Sequence, residues 1–278
     1  MRVLQIGCGA LGKLIAQATL AQGYALTIVR RSQQSVPDGA AALYLDVVSA
    51  NGLSALADQA PEILLYCLAP VAGQSYRQTY VDGLRHVLAN VDQRALKHVF
   101  FISSTSVYGE QQGQWVDDDT PAMPAEENGQ TILAAEQLLD DLPCSHTALR
   151  VSGIYGPQRL YLLKLLQTPE RWPQHIQWTN RIHELDVAGA VVHFYCQIEH
   201  ALPLPAHIIL TDGAPVPQHE VLQWLAQQLQ RPAPVTPTGD LQRGKRIRNP
   251  FLQQSGYPFL FADYQAGYAA ILSKMDHV

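Results

Sequence analysis

The sequence predicts an α/β fold, a doubly wound parallel sheet with a smaller C-terminal lobe. Two observations point there. Short apolar runs alternate with amphipathic helical patterns through residues 1–150. The first of those runs ends in Gly7-Cys8-Gly9-Ala10-Leu11-Gly12, a glycine turn placed between a strand and a helix.

The elements follow in order. Residues 2–6 are compact and apolar and read as a buried strand, and 10–21 carry apolar residues at helical spacing. Residues 25–29, 42–45 and 63–68 are further strands. Between 76 and 91 the apolar residues fall at 76, 80, 84, 87, 88 and 91, one face of a helix. Residues 98–102 are β-rich, 131–139 helical and 146–151 β-rich again. The second half is less regular. Helices are expected over 159–167, 184–198 and 219–229, and a strand over 206–210. The stretch 168–181, with two prolines and two tryptophans, reads as a loop, and 231–239, with three prolines, as a linker or lid. The change of lobe falls near 151–157. Residues 1–150, with part of 183–210, form the core; 151–182 and 211–278 form the smaller, substrate-binding lobe.

Composition narrows the partners. The 278 residues are 47% hydrophobic and 15% charged, enough for a sizeable core. The net charge is -5 and no block of like charges occurs, which argues against nucleic acid or an anionic membrane as partner. No apolar run approaches the roughly 18 residues of a membrane span. The opening MRVLQIGCG lacks the apolar region of a signal peptide. Four cysteines without a CxxC pair predict no metal site and a reducing, cytoplasmic setting.

The glycine turn carries the chemistry. Gly7 permits a tight turn, Gly9 lets a pyrophosphate approach the backbone, and Gly12 lets helix and strand pack closely. The helix beginning at Ala10 and Leu11 offers free N–H groups and a partial positive charge to phosphates. This predicts a Rossmann-type dinucleotide-binding core. The second strand ends in Val29-Arg30-Arg31-Ser32, where NAD binders tend to place an acid. A guanidinium there grips a 2′-phosphate through charge-assisted bonds, so NADP is the expected cofactor, with NAD the alternative. Two solvated surface arginines are the plainer reading. Asp46, after the third strand, could face the adenine edge or simply end its strand.

The run Phe100-Phe101-Ile102-Ser103-Ser104-Thr105-Ser106-Val107-Tyr108-Gly109 is a strand followed by hydroxyl residues. With the glycine turn, Arg150, Ile154-Tyr155-Gly156-Pro157, Arg181-Ile182-His183 and Asp186-Val187-Ala188, it resembles the extended and atypical short-chain dehydrogenase/reductase superfamily, in its NAD-dependent epimerase/dehydratase branch. Gly244-Lys245-Arg246 and Ser255-Gly256-Tyr257 look like the closing segment of that family, so the resemblance covers almost the whole chain. It implies that Ser104 is the catalytic hydroxyl and that Leu68, Ala69 and Pro70 line the cofactor cleft. It implies that Arg159, Asn180, Arg181 and His183 lie where the second lobe meets substrate. Thr105 stands where dehydratases of the family carry an acid. Family members often pair through two long helices, here 76–91 and 131–139, which would make a homodimer.

Two departures from the family pattern stand out. The fingerprint is GxGxxG rather than GxxGxxG. The YxxxK acid/base pair is absent: Asn128 and Ile132 occupy its positions, and no lysine of the chain has a tyrosine four residues before it. Tyr108 is then the nearest proton donor, with a structural role as its alternative; an unassisted phenol has a pKa near 10 and makes a poor base. His183 suits acid/base work, although at the family's IH position that residue more often shapes the wall between the lobes. Trp172 and Trp178 could form a ring platform or pack a core. The expectation is an NAD(P)-dependent oxidoreductase or epimerase acting on a small polar molecule, such as a sugar derivative. The alternative is a non-catalytic NAD(P)-binding redox sensor or scaffold, favoured by the missing pair. A dehydratase is disfavoured by Thr105 and Asn128.

Overall fold

The computed structural model describes residues 1–275. In chain order the elements are β1 (Arg2–Ile6), α1 (Ala10–Ala21), β2 (Ala25–Arg30), β3 (Ala41–Tyr44), β4 (Ile63–Tyr66), a π-helical stretch (Arg77–Asp82) running into α2 (Gly83–Asn90), and β5 (His98–Ser104). Then come β6 (Gln112–Val116), α3 (Glu127–Gln137), β7 (Ser145–Val151), β8 (Gly153–Tyr155), α4 (Tyr161–Leu166), β9 (Ile176–Thr179), β10 (Arg181–His183), α5 (Glu184–Glu199) and β11 (His207–Leu210). The chain closes with β12 (Val216–Pro217), α6 (Gln218–Gln228), β13 (Gln242–Ile247), α7 (Pro250–Gln254) and α8 (Tyr264–Met275).

Seven strands form the main sheet in the order β11-β7-β5-β4-β1-β2-β3. The pairs β3–β2, β2–β1, β1–β4 and β4–β5 are parallel. Their sequences explain this. Val3, Leu4, Ile6, Ile28, Val29, Ile63, Leu64, Leu65, Val99, Phe100 and Phe101 are all buried, the continuous apolar runs of a parallel sheet covered on both faces. Each such side chain contributes roughly 1.5–3 kcal/mol by leaving water. The chain lays β2 and β3 on one side of β1, then returns to place β4 on the other. The order reverses there, and a crevice opens beyond the carboxyl ends of the strands. Ile6 is level with Val29 and with Tyr66, so the segments leaving β1, β2 and β4 emerge together.

Contacts divide the chain into two compact units. The first is 1–108, 122–150 and 188–208; the second is 109–121, 151–187 and 209–278, of which the described part ends at 275. The second unit has a two-stranded sheet, β10-β8, and a four-stranded one, β12-β9-β13-β6. Its apolar cluster joins Leu162, Leu163 and Leu166 of α4, Leu222 and Leu225 of α6, and Tyr268 and Ile271 of α8.

Several expectations are corrected. Residues 109–121, read as part of the core, belong to the second unit because β6 pairs with β13. The stretch 168–181, read as a loop, contains a 3₁₀ turn (Pro169–Arg171), all of β9 and the start of β10. β9 is held by cross-strand partners distant in sequence, β12 and β13. The helix expected over 76–91 begins as π-helix, and the one expected over 131–139 starts four residues earlier, at Glu127.

Candidate functional site

The glycine turn sits at the end of β1. Gly7 has φ +103°, and a Cβ there would fall 2.2 Å from the Cys67 carbonyl oxygen, so only glycine fits. A Cβ on Gly12 would lie 2.7 Å from the Gly7 carbonyl oxygen, which is how helix and turn come so close. Buried Gln5 clamps both: its Nε2 donates to the carbonyls of Gly7 and Gly12, each at 2.8 Å. Gly9 differs. It caps α1 without a side-chain hydrogen bond, and a Cβ on it would meet nothing within 4 Å. The turn therefore leaves open space in front of the free N–H groups of the first helical turn, a cradle suited to a phosphate.

That cradle is one end of a cleft of about 260 Å³ within the first unit. Gly7, Cys8, Gly9, Arg30, Arg31, Asp46, Leu68 and Ala69 line it, all expected from the sequence. Ala10, Leu11, Gly12 and Pro70 do not. Sequence reasoning missed Ser32, Gln34, Val47, Val48, Gln74 and Thr79 in the lining. Ser32, Gln34, Val47 and Val48 lie two to four residues past a strand end, a signal that could have found them. Thr79 could not be found so, because it lies in the π-helical stretch.

The two arginines have different tasks. Arg30 donates from Nη2 to Ser32 Oγ and Gln34 Oε1, and from Nη1 to the Ser35 carbonyl. It organises the loop after β2. Arg31 is exposed on the cleft and, among the described residues, no hydrogen bond or ion pair holds it. Asp46 Oδ1 accepts from the Val48 N–H and shapes its own turn. Burial pushes the Cys8 thiol up, and Arg30 and Lys13 pull it back only in part.

Ser104 ends β5. Its Oγ accepts from the Ser106 N–H at 3.1 Å, capping the 3₁₀ turn Thr105–Val107. A hydroxyl used in this way keeps its own hydrogen to give. Tyr108 requires a correction. It is 1% exposed, and its hydroxyl accepts from Arg150 Nη1 at 2.9 Å. Arg150 in turn donates from Nε and Nη2 to the Glu136 carboxylate, which also accepts from Ser103 Oγ. Tyr108 belongs to a buried network and is not the open proton donor expected of it. Asn128 and Ile132 lie on α3, the first exposed and the second buried. Neither can hold or move a proton.

In the second unit, Asn180 and Arg181 line a pocket with Arg159, whereas Thr105 lies in the first unit. Asn180 has little to offer a ligand: its Nδ2 donates to the Lys245 carbonyl and its Oδ1 accepts from the Ile247 N–H. It clips β13 in place. His183 is also corrected. It is 3% exposed, packed between Tyr155 and Phe261, and its Nδ1 accepts from the Leu185 N–H. Burial lowers its pKa to about 4, so it stays neutral and structural. Among the described residues no three His, Cys, Asp or Glu side chains gather to hold a metal, and no helix is long and apolar enough to cross a membrane.

A parallel sheet with its order reversed at β1, and a glycine turn opening α1 at that point, define a Rossmann-type α/β protein. Residues 7–190 match the model of the NAD dependent epimerase/dehydratase family, and the chain belongs to that family. A solved protein of Methylobacillus flagellatus that bears the same family description is 40% identical, with a TM-score of 0.88 over 99% of this chain and 98% of its own. Protein YeeZ of Escherichia coli K12 is 28% identical over 207 residues, 68% of this chain and 71% of YeeZ. The Bordetella bronchiseptica enzyme WbmG, solved in complex with NAD, shares the fold at 17% identity, with a TM-score of 0.78 over 100% of this chain and 94% of its own.

Proposed function

We propose that the chain is an NADP(H)-dependent oxidoreductase or epimerase of the atypical short-chain dehydrogenase/reductase type, acting on a small polar substrate. The observation that carries this reading is the first-unit cleft, with the open cradle at Gly9 at one end and the unheld Arg31 in its wall. The cradle receives the pyrophosphate on the N–H groups of α1. Arg31, with Ser32 beside it on the loop that Arg30 organises, holds the 2′-phosphate. A bound nicotinamide supplies hydride donation or uptake. Ser104 donates its free hydrogen to the substrate oxygen, and solvent or the substrate's own groups supply the proton that a tyrosine–lysine pair would handle elsewhere in the family. The test is a titration with NADPH and NADH, followed by a screen of carbonyl compounds and sugar nucleotides read at the NADPH absorbance. The reading expects tighter binding of NADPH and turnover of at least one compound; equal affinities remove the NADP assignment.

A second reading has its own support. The burial of Tyr108 under Arg150, together with Asn128 and Ile132 on α3, leaves this chain without the family's proton pair. A non-catalytic NADP(H) sensor or scaffold needs the first-unit cleft and nothing more. Tight NADPH binding without turnover of any compound in the screen favours it.

A further inference from the structure

Tyr66 closes β4 at the end of the sheet where the first-unit cleft opens, level with Ile6 of β1 and Phe101 of β5. Its side chain is fully buried, and its ring lies against Phe101 with centroids 6.0 Å apart. The hydroxyl donates to the Thr79 carbonyl at 2.5 Å. Burial pushes the phenol's pKa up, so this donor keeps its proton. In an α-helix that carbonyl would accept from the N–H four residues on, that of Gly83. Here the Gly83 N–H reaches five residues back, to the Gln78 carbonyl. The phenol has taken one rung of the ladder, and the helix answers with a π turn over Arg77–Asp82.

Both ends of this turn are fixed. Ser75 and Gln78 form a capping box: Ser75 Oγ accepts from the Gln78 N–H at 3.1 Å, and Gln78 Oε1 from the Ser75 N–H at 2.9 Å. Downstream, α2 is held by His86, whose Nδ1 lies 2.9 Å from the Val47 carbonyl oxygen. The extra residue of the π turn is taken up between them. Gly83 is what lets the phenol in, since a Cβ there would fall 2.5 Å from the Tyr66 hydroxyl. The residue most affected is Thr79, which is 1% exposed and lines the cleft. A threonine hydroxyl inside a helix commonly bonds the carbonyl three or four residues back. Thr79 Oγ1 has no hydrogen-bond partner among the described residues. Buried polar groups are as a rule satisfied, and the side from which a partner can come is the cleft.

We propose that Tyr66 is a positioning residue for the dinucleotide: its hydroxyl wedges the π turn open, and the turn presents Thr79 Oγ1 to an oxygen of the bound cofactor. This role rests on the cofactor reading above; the wedge itself does not. Tyr66 is not part of the cleft lining and acts through Thr79. A hydroxyl that has no water to give up gains a hydrogen bond when the ligand arrives, which favours the bound state.

The experiment titrates the full chain with NADPH and with NADH and follows the thermal unfolding of each variant. Thr79→Val removes the hydroxyl at nearly constant shape and should weaken both nucleotides about tenfold. Tyr66→Phe should weaken them by a similar factor, and Tyr66→Phe combined with Thr79→Val should bind no worse than Thr79→Val alone. A tyrosine with only a structural role would add its loss to that of Thr79→Val. Gly83→Ala reaches the same point by another route: it displaces the phenol and should weaken both nucleotides as well. It also reads the wedge without any ligand. It should lower the thermal midpoint of wild type, where the new Cβ meets the hydroxyl, and cost nothing in Tyr66→Phe, where the Gly83 position can bond the Thr79 carbonyl directly. Losses of affinity that add, or Tyr66→Phe or Thr79→Val binding as wild type does, overturn the proposal and leave the cofactor reading standing. Equal destabilisation by Gly83→Ala in both backgrounds overturns the wedge. Wild type that binds neither nucleotide retires the cofactor reading, and the positioning role of Tyr66 with it.

Discussion

Arg150 Nη2 lies 2.7 Å from Glu136 Oε2, and both side chains are less than a tenth exposed. The carboxylate on α3 is thereby tied to β7, and through Arg150 Nη1 to Tyr108 within the SSTSVYG run. Glu136→Ala would leave a buried guanidinium without its counter-charge, which costs about 3–5 kcal/mol. Urea denaturation should show a loss of that order. Glu136→Leu combined with Arg150→Met should recover most of it, since removing both charges leaves no orphan. A double variant as unstable as the single would show that the pair does not act as a unit.

The two cleft-lining glycines of the turn make contrasting predictions. Gly7→Ala puts a Cβ against the Cys67 carbonyl and forces a left-handed backbone on alanine. The strained turn should lower stability by about 1–2 kcal/mol from the backbone alone, before the clash is counted. Gly9→Ala meets no atom of the protein within 4 Å and should leave the thermal midpoint within a degree or two. It fills the cradle, however, and NADPH affinity should fall at least tenfold. Normal affinity in Gly9→Ala would place the phosphates elsewhere.

Arg31 and Arg30 should separate in the same titration. Arg31→Ala removes a donor that nothing else holds, and should cut NADPH affinity by about 10- to 100-fold with little effect on NADH. Arg30→Ala loosens the loop from Ser32 to Ser35, so both cofactors should weaken together. If Arg30→Ala proves the selective variant and Arg31→Ala the neutral one, the two roles are exchanged.

The parts of the molecule legible in the sequence are those whose signal is local. The buried strands of the main sheet are continuous apolar runs, and the glycine turn is contained in six neighbouring residues. β13 was missed because Gln242–Ile247 is polar and basic, and only pairing to β6 and β9 makes it a strand. The misassignment of Tyr108 has the same origin. Its partner Arg150 is 42 residues away, and Glu136 is 14 residues from Arg150, so no spacing rule announces the network. For His183 the sequence offered both acid/base work and a place in a wall; the Tyr155 and Phe261 rings that strip its water and decide for the second come from other parts of the chain.

Asp212 predicts how stability changes with pH. It is 8% exposed, Oδ1 accepts from the Ala214 N–H, and Oδ2 has no hydrogen-bond partner. Burial raises its pKa from 3.8 to about 7, against the opposing pull of that hydrogen bond and of Arg181. The folded chain therefore holds this proton more tightly than the unfolded chain does. The stability this contributes is complete below about pH 4 and is lost progressively as pH rises through 7. A shift of this size corresponds to something on the order of 4 kcal/mol. Asp212→Asn keeps the acceptor for Ala214 and carries no titrating proton. Denaturation midpoints measured from pH 4.5 to 8 should therefore fall more steeply in wild type than in Asp212→Asn, with the gap opening as pH rises. Asp186 and Glu184, whose pKa values burial also raises, remain in both proteins and drop out of the difference. Parallel profiles would mean that Asp212 is ionised in the folded chain throughout this range, with water or Arg181 supplying what Oδ2 lacks.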